Sequence, residues 1–492
     1  MRHTPAGTRV ALALLLVLGP ADVSRGQGLS LNDAVELALA RHEKIAAAAE
    51  RLAQRQSEHA VTRGNFLPAV RLEASYTHLD DQLDIDLDPI RQVIIQLQAA
   101  DQTELANLQG LLQGRAALTP EQRAAVMAQS TAALDGKLPA FRQTLKDQGY
   151  RTASLVAVQP LFMGGRLVAA ERAAGAEERA AAAELRRTRT QVQWETVNQY
   201  LVVALLTQSA ATRADVVAGM RRHESDAAKL LAEGLIAKAH LLRARVAVAD
   251  AERNLFDDRS RLDLARVALR QTLGLAPEAD IVLLDSLSYQ PFADSLSVCL
   301  AEAGASQPML ETIRQKRAVA AQKAVAERAD FLPRVAGVAK YELCPEDLSA
   351  LEPRWMVGVQ LSLPLVEGGR RHFRLQAAQH LEAEAGHVEA VAQDAVALWV
   401  EQSYRAARNA EDRWVTLGPN VDLAAENVRQ NERRFQTGLG TSLELVDAEL
   451  MLEKSRIERL ASLHDYYRAL NDLSLACGTP DRVCAVFQPK EQ

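Results

Sequence analysis

Aromatic residues are scarce in this chain: Phe, Trp and Tyr make up 4% of its 492 residues. The apolar share of 48% therefore falls mainly on Ala and Leu, residues that favour long, closely packed helices. An excess of basic charge is also missing. The 57 Lys and Arg are outnumbered by 63 Asp and Glu, giving a net charge of −6 and an isoelectric point near 6.0. That balance excludes a general affinity for nucleic acid, which needs a basic footprint. Beyond the N-terminal segment no stretch reaches about 18 uninterrupted apolar residues, so a membrane-spanning helix is not expected. The four cysteines, Cys299, Cys344, Cys477 and Cys484, show no spacing with His that holds zinc, and the seven Met form no copper-type cluster. A nucleophile elbow, a phosphate-binding loop and a metalloprotease signature are all lacking. The chain reads as a non-enzyme without metal or cofactor.

What is present begins with an address. Arg2 and Arg9 precede the apolar run Val10 to Leu18, too short to span a bilayer and about the length of a signal-peptide core. Residues 1–27 are expected to be removed near Ser24 to Gln27, leaving an exported protein. In that setting the C-x6-C spacing of Cys477 and Cys484 suits a small closed loop, while unpaired structural thiols are the simpler alternative.

The exported part states nearly the same sequence twice. Arg63-Gly64-Asn65-Phe66-Leu67-Pro68 recurs as Arg328-Ala329-Asp330-Phe331-Leu332-Pro333, at an offset of 265. Gly164-Gly165-Arg166 recurs as Gly368-Gly369-Arg370 at an offset of 204, which also relates Tyr200 to Tyr404, Gly234 to Gly438 and Gly274 to Gly478. Long helices of fixed length resist insertion in this way. The fall in offset marks an insertion of 61 residues in the first copy, within residues 79–148. The organisation is a first repeat over 28–274, a linker over 275–298, a second repeat over 299–478 and a tail over 479–492.

Between Gly165 and Gly234 lie no Pro and two Gly, Gly175 and Gly219, room for a helix of roughly 100 Å at 1.5 Å per residue. Leu241, Val248, Leu255, Leu262 and Leu269 then fall at every seventh position, with Ala244, Ala251 and Ala265 three residues on. Such a repeat with small partners specifies supercoiled helices in close contact. The second copy keeps Leu445, Leu452, Tyr466 and Leu473 at the equivalent places, with Arg459 as the exception. Gly234 and Gly438 mark reversals, so helical hairpins are expected over 166–274 and 370–478.

Each hairpin is flanked by extended segments. Val70, Leu72, Ala74 and Tyr76 alternate with Arg71, Glu73, Ser75 and Thr77, and Trp355, Val357, Val359, Leu361 and Leu363 alternate with Met356, Gly358, Gln360 and Ser362. These are strands with one apolar face. Four are expected, near 69–78, 151–162, 334–343 and 354–365; Val156 and Val158 break the alternation of the second. Four strands cannot close a spanning barrel, which needs at least about eight and no free edge. Three copies supply twelve.

With F-L-P at 66–68 and 331–333, Gln159-Pro160-Leu161-Phe162 before Gly164-Gly165, Pro364-Leu365 before Gly368-Gly369, and Arg434-Phe435-Gln436-Thr437-Gly438 followed by Ser442-Leu443-Glu444-Leu445-Val446-Asp447-Ala448, the chain resembles the TolC-like outer membrane channel family of efflux pumps and type I secretion systems. The resemblance runs from about Leu29 to Thr479. It implies a mainly helical chain with a small β part, four transmembrane strands per chain, and a homotrimer that closes a 12-stranded barrel over an α-helical tunnel. It further implies a place in the outer membrane of a Gram-negative-type cell, extending into the periplasm, with a periplasmic adaptor and an inner membrane transporter as partners.

The same resemblance places gate acids at Glu444 and Asp447; His240 and Arg243 occupy the matching places in the first copy and complete the expected periplasmic gate. Adaptor contacts are expected at the tips, Gly234, Leu235, Gly438 and Leu439, and the strand-to-helix turns at Gly164, Gly165, Gly368 and Gly369. The insertion 79–148 lies between strands whose other ends enter the helices, so it is expected on the cell exterior. Its Asp80, Asp81, Asp84, Asp86 and Asp88 are read as solvated rather than as a calcium site, and Ile90, Val93, Ile94 and Leu97 as one helix face. The competing reading of the whole chain is an exported periplasmic coiled-coil scaffold or adaptor that conducts nothing.

Overall fold

The computed structural model describes residues 28–349 and 351–487. The proposed signal segment 1–27 and the end of the tail lie outside the described residues. The helices α1 (Leu31–Arg41) and α2 (Glu43–Gly64) lead to β1 (Ala69–His78). Next come β2 (Leu83–Asp86), α3 (Asp88–Leu112), α4 (Pro120–Asp135), β3 (Arg142–Lys146) and β4 (Gly149–Phe162). The long helices α5 (Arg166–Ala232) and α6 (Lys238–Thr272) complete the first copy. The second runs α7 (Leu296–Ser306), α8 (Pro308–Ala329), β5 (Arg334–Glu342), β6 (Trp355–Ser362), α9 (Arg370–Gln436) and α10 (Ser442–Cys477), and α11 (Asp481–Phe487) follows. The repeat is close to exact: α1 and α7 each have 11 residues, α2 and α8 each 22, and α5 and α9 each 67. The two compact units into which the chain divides nevertheless cut across it. One comprises Met1–His59, Arg172–Gln322 and Ala377–Gln492, the other Ala60–Glu171 and Lys323–Gln376, so each unit draws on both copies.

In the first unit the seam expected of α6 is present. Leu241, Val248, Leu262 and Leu269 are buried with Ala244, Ala251 and Ala265, small residues that let helices approach. Arg459, the exception on α10, lays its guanidinium over the Trp414 ring at 4.9 Å, exchanging a hydrophobic contact for a cation–π one. Around the seam Tyr200, Tyr466 and Tyr467 are fully buried, and each hydroxyl finds a partner as burial demands. Tyr200 donates to Leu29 O or Asp285 Oδ2, both at 3.0 Å, Tyr466 to Gln290 O at 2.9 Å and Tyr467 to Ser288 O at 2.6 Å. Those acceptors show that residues 275–298, expected as a linker, are an ordered strap. Leu29 pairs with Leu283 in a parallel bridge, and Ile281, Leu287 and Phe292 enter the core. The most apolar 18-residue window of α5 has a mean hydropathy of 1.3, enough by length and composition to cross a membrane. One third of that window is buried within the chain, and Val197, Leu201 and Ala204 of the same helix enter this core.

The second unit is built on an antiparallel sheet of order β1-β4-β5-β6. Leu72 lies opposite Leu155, Leu155 opposite Tyr341 and Tyr341 opposite Trp355. Of the two valines that break the alternation of β4, Val158 lies opposite Val338 on the other face, whereas Val156 lies between Arg71 and Lys340. At one end of the sheet a second antiparallel pair, β2 with β3, carries the helices α3 and α4 of the insertion. Thr119 opens α4 with a capping box to Gln122, and Pro120 takes the first helical position, where a missing N–H costs nothing.

Candidate functional site

Two surfaces and one buried network carry the chemistry. The first surface is the outer face of the four-stranded sheet. Leu72 is 64% exposed, Val359 71% and Val357 74%. Tyr76, Trp355 and Leu361 project from the same face. A contiguous apolar sheet of this kind marks an interaction or membrane surface rather than a wetted one. The strands have 10, 14, 9 and 8 residues, close to the 9–11 that a tilted bilayer-spanning strand needs. Both outer strands, β1 and β6, have one unpaired edge. The opposite face is mostly polar, with Arg71, Glu73, Ser75 and Gln360, and Ser75 Oγ lies 2.8 Å from Thr152 Oγ1.

The expected turns close this unit. Gly164, Gly165, Gly368 and Gly369 all have positive φ, and the backbone at Gly164 packs so closely that a Cβ there would stand 2.6 Å from Ala329 O. Beside the turn the buried Asp330 receives Arg166 Nη1 and Arg334 Nη2, each at 2.7 Å, and Arg371 donates to its carbonyl at 3.2 Å. At the insertion end Lys146 pairs with Glu352 and donates to Asp347 O at 2.7 Å, and Arg151 Nε reaches Asp347 Oδ2 at 3.1 Å. The aspartates of the insertion are used locally. Asp88 pairs with Arg91 at 2.6 Å and Asp86 with Arg142 at 3.4 Å. No group of three metal-ligating side chains gathers among the described residues.

The second surface is the pair of hairpin tips in the first unit. Gly234 and Gly438 take φ of 76° and 72°, where a glycine reverses the chain without a Cβ clash. Leu235 and Leu439 beside them are 64% and 77% exposed. Of the expected gate residues, Glu444 completes a capping box: its carboxylate accepts from Thr441 N at 3.2 Å, and its own N–H donates to Thr441 Oγ1 at 3.3 Å. It also faces Arg434 at 3.6 Å. Asp447 and Arg243 are exposed, and Arg243 has no ion pair among the described residues. His240 is half-buried; its Nδ1 accepts from Ser442 N at 3.4 Å and its carbonyl from Ser442 Oγ at 3.3 Å.

Reading the sequence missed the residue that joins the tips. His223 of α5 is buried, with Nε2 2.7 Å from Ser442 Oγ and its ring edge-on to Phe435 at 4.6 Å between centroids. Its Nδ1 has no protein partner. Burial, and secondarily His240, hold its pKa below the ordinary value, with Asp226 acting the other way. Nearby, burial raises the Glu449 pKa, opposed by Arg222.

The network lies further along the same helices. Arg213 of α5 holds Asp258 of α6 at 2.7 Å and Glu453 of α10 at 2.6 Å, and Ser209 donates to Asp258 at 2.6 Å. Both carboxylates are almost wholly buried. Burial raises the Glu453 pKa and Arg213 opposes the rise. Asp258 stands three residues after Leu255, where the heptad elsewhere places Ala; that break was the available signal.

Comparison with known proteins bears on the second copy and on the fold. Residues 299–479 match the family model described as outer membrane efflux protein. No curated protein matches the chain in sequence. Among solved structures, the outer membrane protein VceC of Vibrio cholerae superposes with a TM-score of 0.67 at 19% identity, over 91% of this chain and 96% of its own. The outer membrane channel CmeC of Campylobacter jejuni gives 0.65 at 14%, over 94% and 87%. The outer membrane channel MtrE of Neisseria gonorrhoeae, solved in an open state, gives 0.67 at 14%, over 92% and 89%. At these identities the likeness establishes a common fold.

Proposed function

We propose that this chain, whose second copy matches the outer membrane efflux protein model and whose fold is that of VceC, is one third of a homotrimeric outer membrane channel. The trimer serves as the exit duct of a tripartite efflux pump or a type I secretion system, carrying small molecules or proteins from the periplasm or cytoplasm to the exterior. The observation that carries the reading is the four-stranded sheet, apolar on one exposed face and open at both edges. In a bilayer every strand edge must be paired. Joining β6 of one copy to β1 of the next, three times, pairs all of them in a barrel of twelve strands. The long helices agree: α6 exposes Leu242, Val246, Phe256, Leu264 and Val267 at helical spacing, a stripe suited to a neighbouring copy.

Within that assembly Glu444 and Asp447, three residues apart on one helix, bring six carboxylates to the tips of three copies and favour cations at a narrow mouth. His240 and Arg243 set the opposite sign on the first-copy tip. Leu235 and Leu439, beside Gly234 and Gly438, offer apolar contacts to a periplasmic adaptor, through which an inner membrane transporter engages. The insertion 79–148 lies at the exterior end. A periplasmic scaffold is disfavoured because it would leave Val357 and Val359 in water.

The test is to extract the protein from membranes in detergent, weigh it by native mass spectrometry and add it to planar lipid bilayers. Three chains and discrete conductance steps are expected. A soluble single chain that leaves the bilayer silent overturns the proposal.

A further inference from the structure

Cys299, early in α7, and Cys477, the last residue of α10, are both wholly buried. Cys477 Sγ lies 3.5 Å from Cys299 O. One guanidinium nitrogen, Nη1 of Arg482, stands 3.4 Å from Cys299 Sγ and 3.9 Å from Cys477 Sγ, and both thiols are free in this structure. Arg482 is itself fixed by Glu302 and by Asp294 at 3.4 Å. The backbones are also held together. Gln307 Nε2 donates to Leu475 O at 3.0 Å and Ala476 O at 2.9 Å, and a Cβ on Gly478 would stand 2.7 Å from Ser306 O.

The Cys477–Cys484 loop that the spacing suits is not formed. Cys484 Sγ is turned toward Gln193 Nε2 at 4.0 Å, and Cys344 lies in the other compact unit. The repeat adds an independent point. Shifted by 265 and 204, Cys299 and Cys477 correspond to Ala34 and Leu273 of the first copy, both fully buried in the same core. Where the first copy has an apolar pair, the second has two thiols.

We propose that Cys299 and Cys477 become joined by a disulfide as the chain folds, tying the start of the second copy to its end. This rests on the exported, outer membrane reading for its oxidising compartment. The co-reactant is a disulfide, protein or small molecule. One cysteine thiolate attacks it and expels a thiolate, which takes up a proton; the second cysteine, losing its proton, attacks the mixed disulfide and expels the other. Two thiols are oxidised by two electrons and one disulfide is reduced to two thiols. The exchange precedes final packing: once buried beside Cys299, the Cys477 thiol is pushed up to about 12 and stays protonated, which makes it unreactive in the finished fold.

The test is alkylation with N-ethylmaleimide under denaturing, non-reducing conditions, followed by peptide mass spectrometry. It is applied to protein from the cell envelope and to protein refolded with oxidised glutathione. A peptide linking Cys299 to Cys477, with only Cys344 and Cys484 alkylated, is expected in both. Reductant should lower the thermal midpoint of the wild type and leave that of the Cys299→Ser, Cys477→Ser double variant unchanged. Four alkylated cysteines in the refolded sample, or a Cys477–Cys484 link, overturn the inference. A link in the refolded sample alone upholds the pair and counts against the exported reading.

Discussion

His223 Nε2 of α5 lies 2.7 Å from Ser442 Oγ at the start of α10, so a single hydrogen bond ties the tip of the first hairpin to the tip of the second. The charged groups around it come from every neighbouring element: Arg222 and Asp226 on α5, His240 on α6, Glu432 on α9 and Glu449 on α10. Because its Nδ1 is buried without a partner, protonation adds a donor that nothing accepts. Its pKa is lowered from 6.5 by burial. A group depressed in this way contributes stability in full above the unfolded value, and loses it as pH falls through the folded one. Limited proteolysis at the tips should therefore quicken as the pH drops below about 6.5. His223→Gln, which cannot titrate, should flatten that dependence while leaving neutral-pH stability within about 1 kcal/mol. An unchanged pH profile in the variant would remove His223 as its source.

Arg213 bridges two buried acids on different helices, Asp258 and Glu453, while the exposed Arg261 reaches only Asp258, at 3.6 Å. Its truncation to Ala leaves both carboxylates facing a low-dielectric interior, a situation that costs about 3–5 kcal/mol. The thermal midpoint in detergent should fall sharply. Adding Asp258→Asn and Glu453→Gln to Arg213→Ala should recover much of the loss, since the remaining groups are neutral; a triple variant no more stable than the single one would show that the network acts through packing instead.

How far these features could be read in advance depended on the distance over which they act. The α6 seam was legible because Leu241, Val248 and Leu262 repeat every seven residues with Ala three positions on. The same arithmetic passed over Asp258, whose partner Glu453 is remote in sequence. The strand β6 was plain from its alternation, whereas Val158 in β4 made sense only once Val338 was seen across from it, and Val156, between Arg71 and Lys340, gains no apolar cross-strand partner. In the insertion, helix α3 was visible in Ile90, Val93 and Ile94, but β2, with Asp84 and Asp86, gave no alternating apolar pattern. Glu444 shows a different limit. Thr441-x-x-Glu444 is a capping box, a role local enough to be read directly, yet the family resemblance drew attention to the gate. His223 was hidden because its partners, Phe435 and Ser442, lie in the other copy.

Neighbouring glycines in one turn should differ in tolerance. Gly164 has φ of 63° and a backbone oxygen 2.6 Å from where a Cβ would sit, while Gly165, at φ of 90°, has nothing within 4 Å. Both alanine variants carry the left-handed backbone cost of about 1–2 kcal/mol. Only Gly164→Ala must also push away Ala329, the last residue of α8. Folded yield should drop more for Gly164→Ala than for Gly165→Ala, and equal yields would show that the turn relaxes freely.

The two faces of β6 offer the sharpest distinction between a membrane strand and a wetted one. Val357 points from the apolar face and Gln360 from the other. If the apolar face meets lipid, Val357→Lys places a charge in hydrocarbon at a cost of about 2–4 kcal/mol near the midplane, while Gln360→Lys faces the barrel interior at little cost. Folded protein in the membrane fraction should fall for the first variant and hold for the second. In a water-exposed scaffold the first substitution would replace an exposed apolar side chain by a soluble one, and its yield would be equal or higher. The sign of the Val357→Lys effect, measured against Gln360→Lys in the same preparation, therefore separates a channel from a scaffold without requiring any cargo to be known.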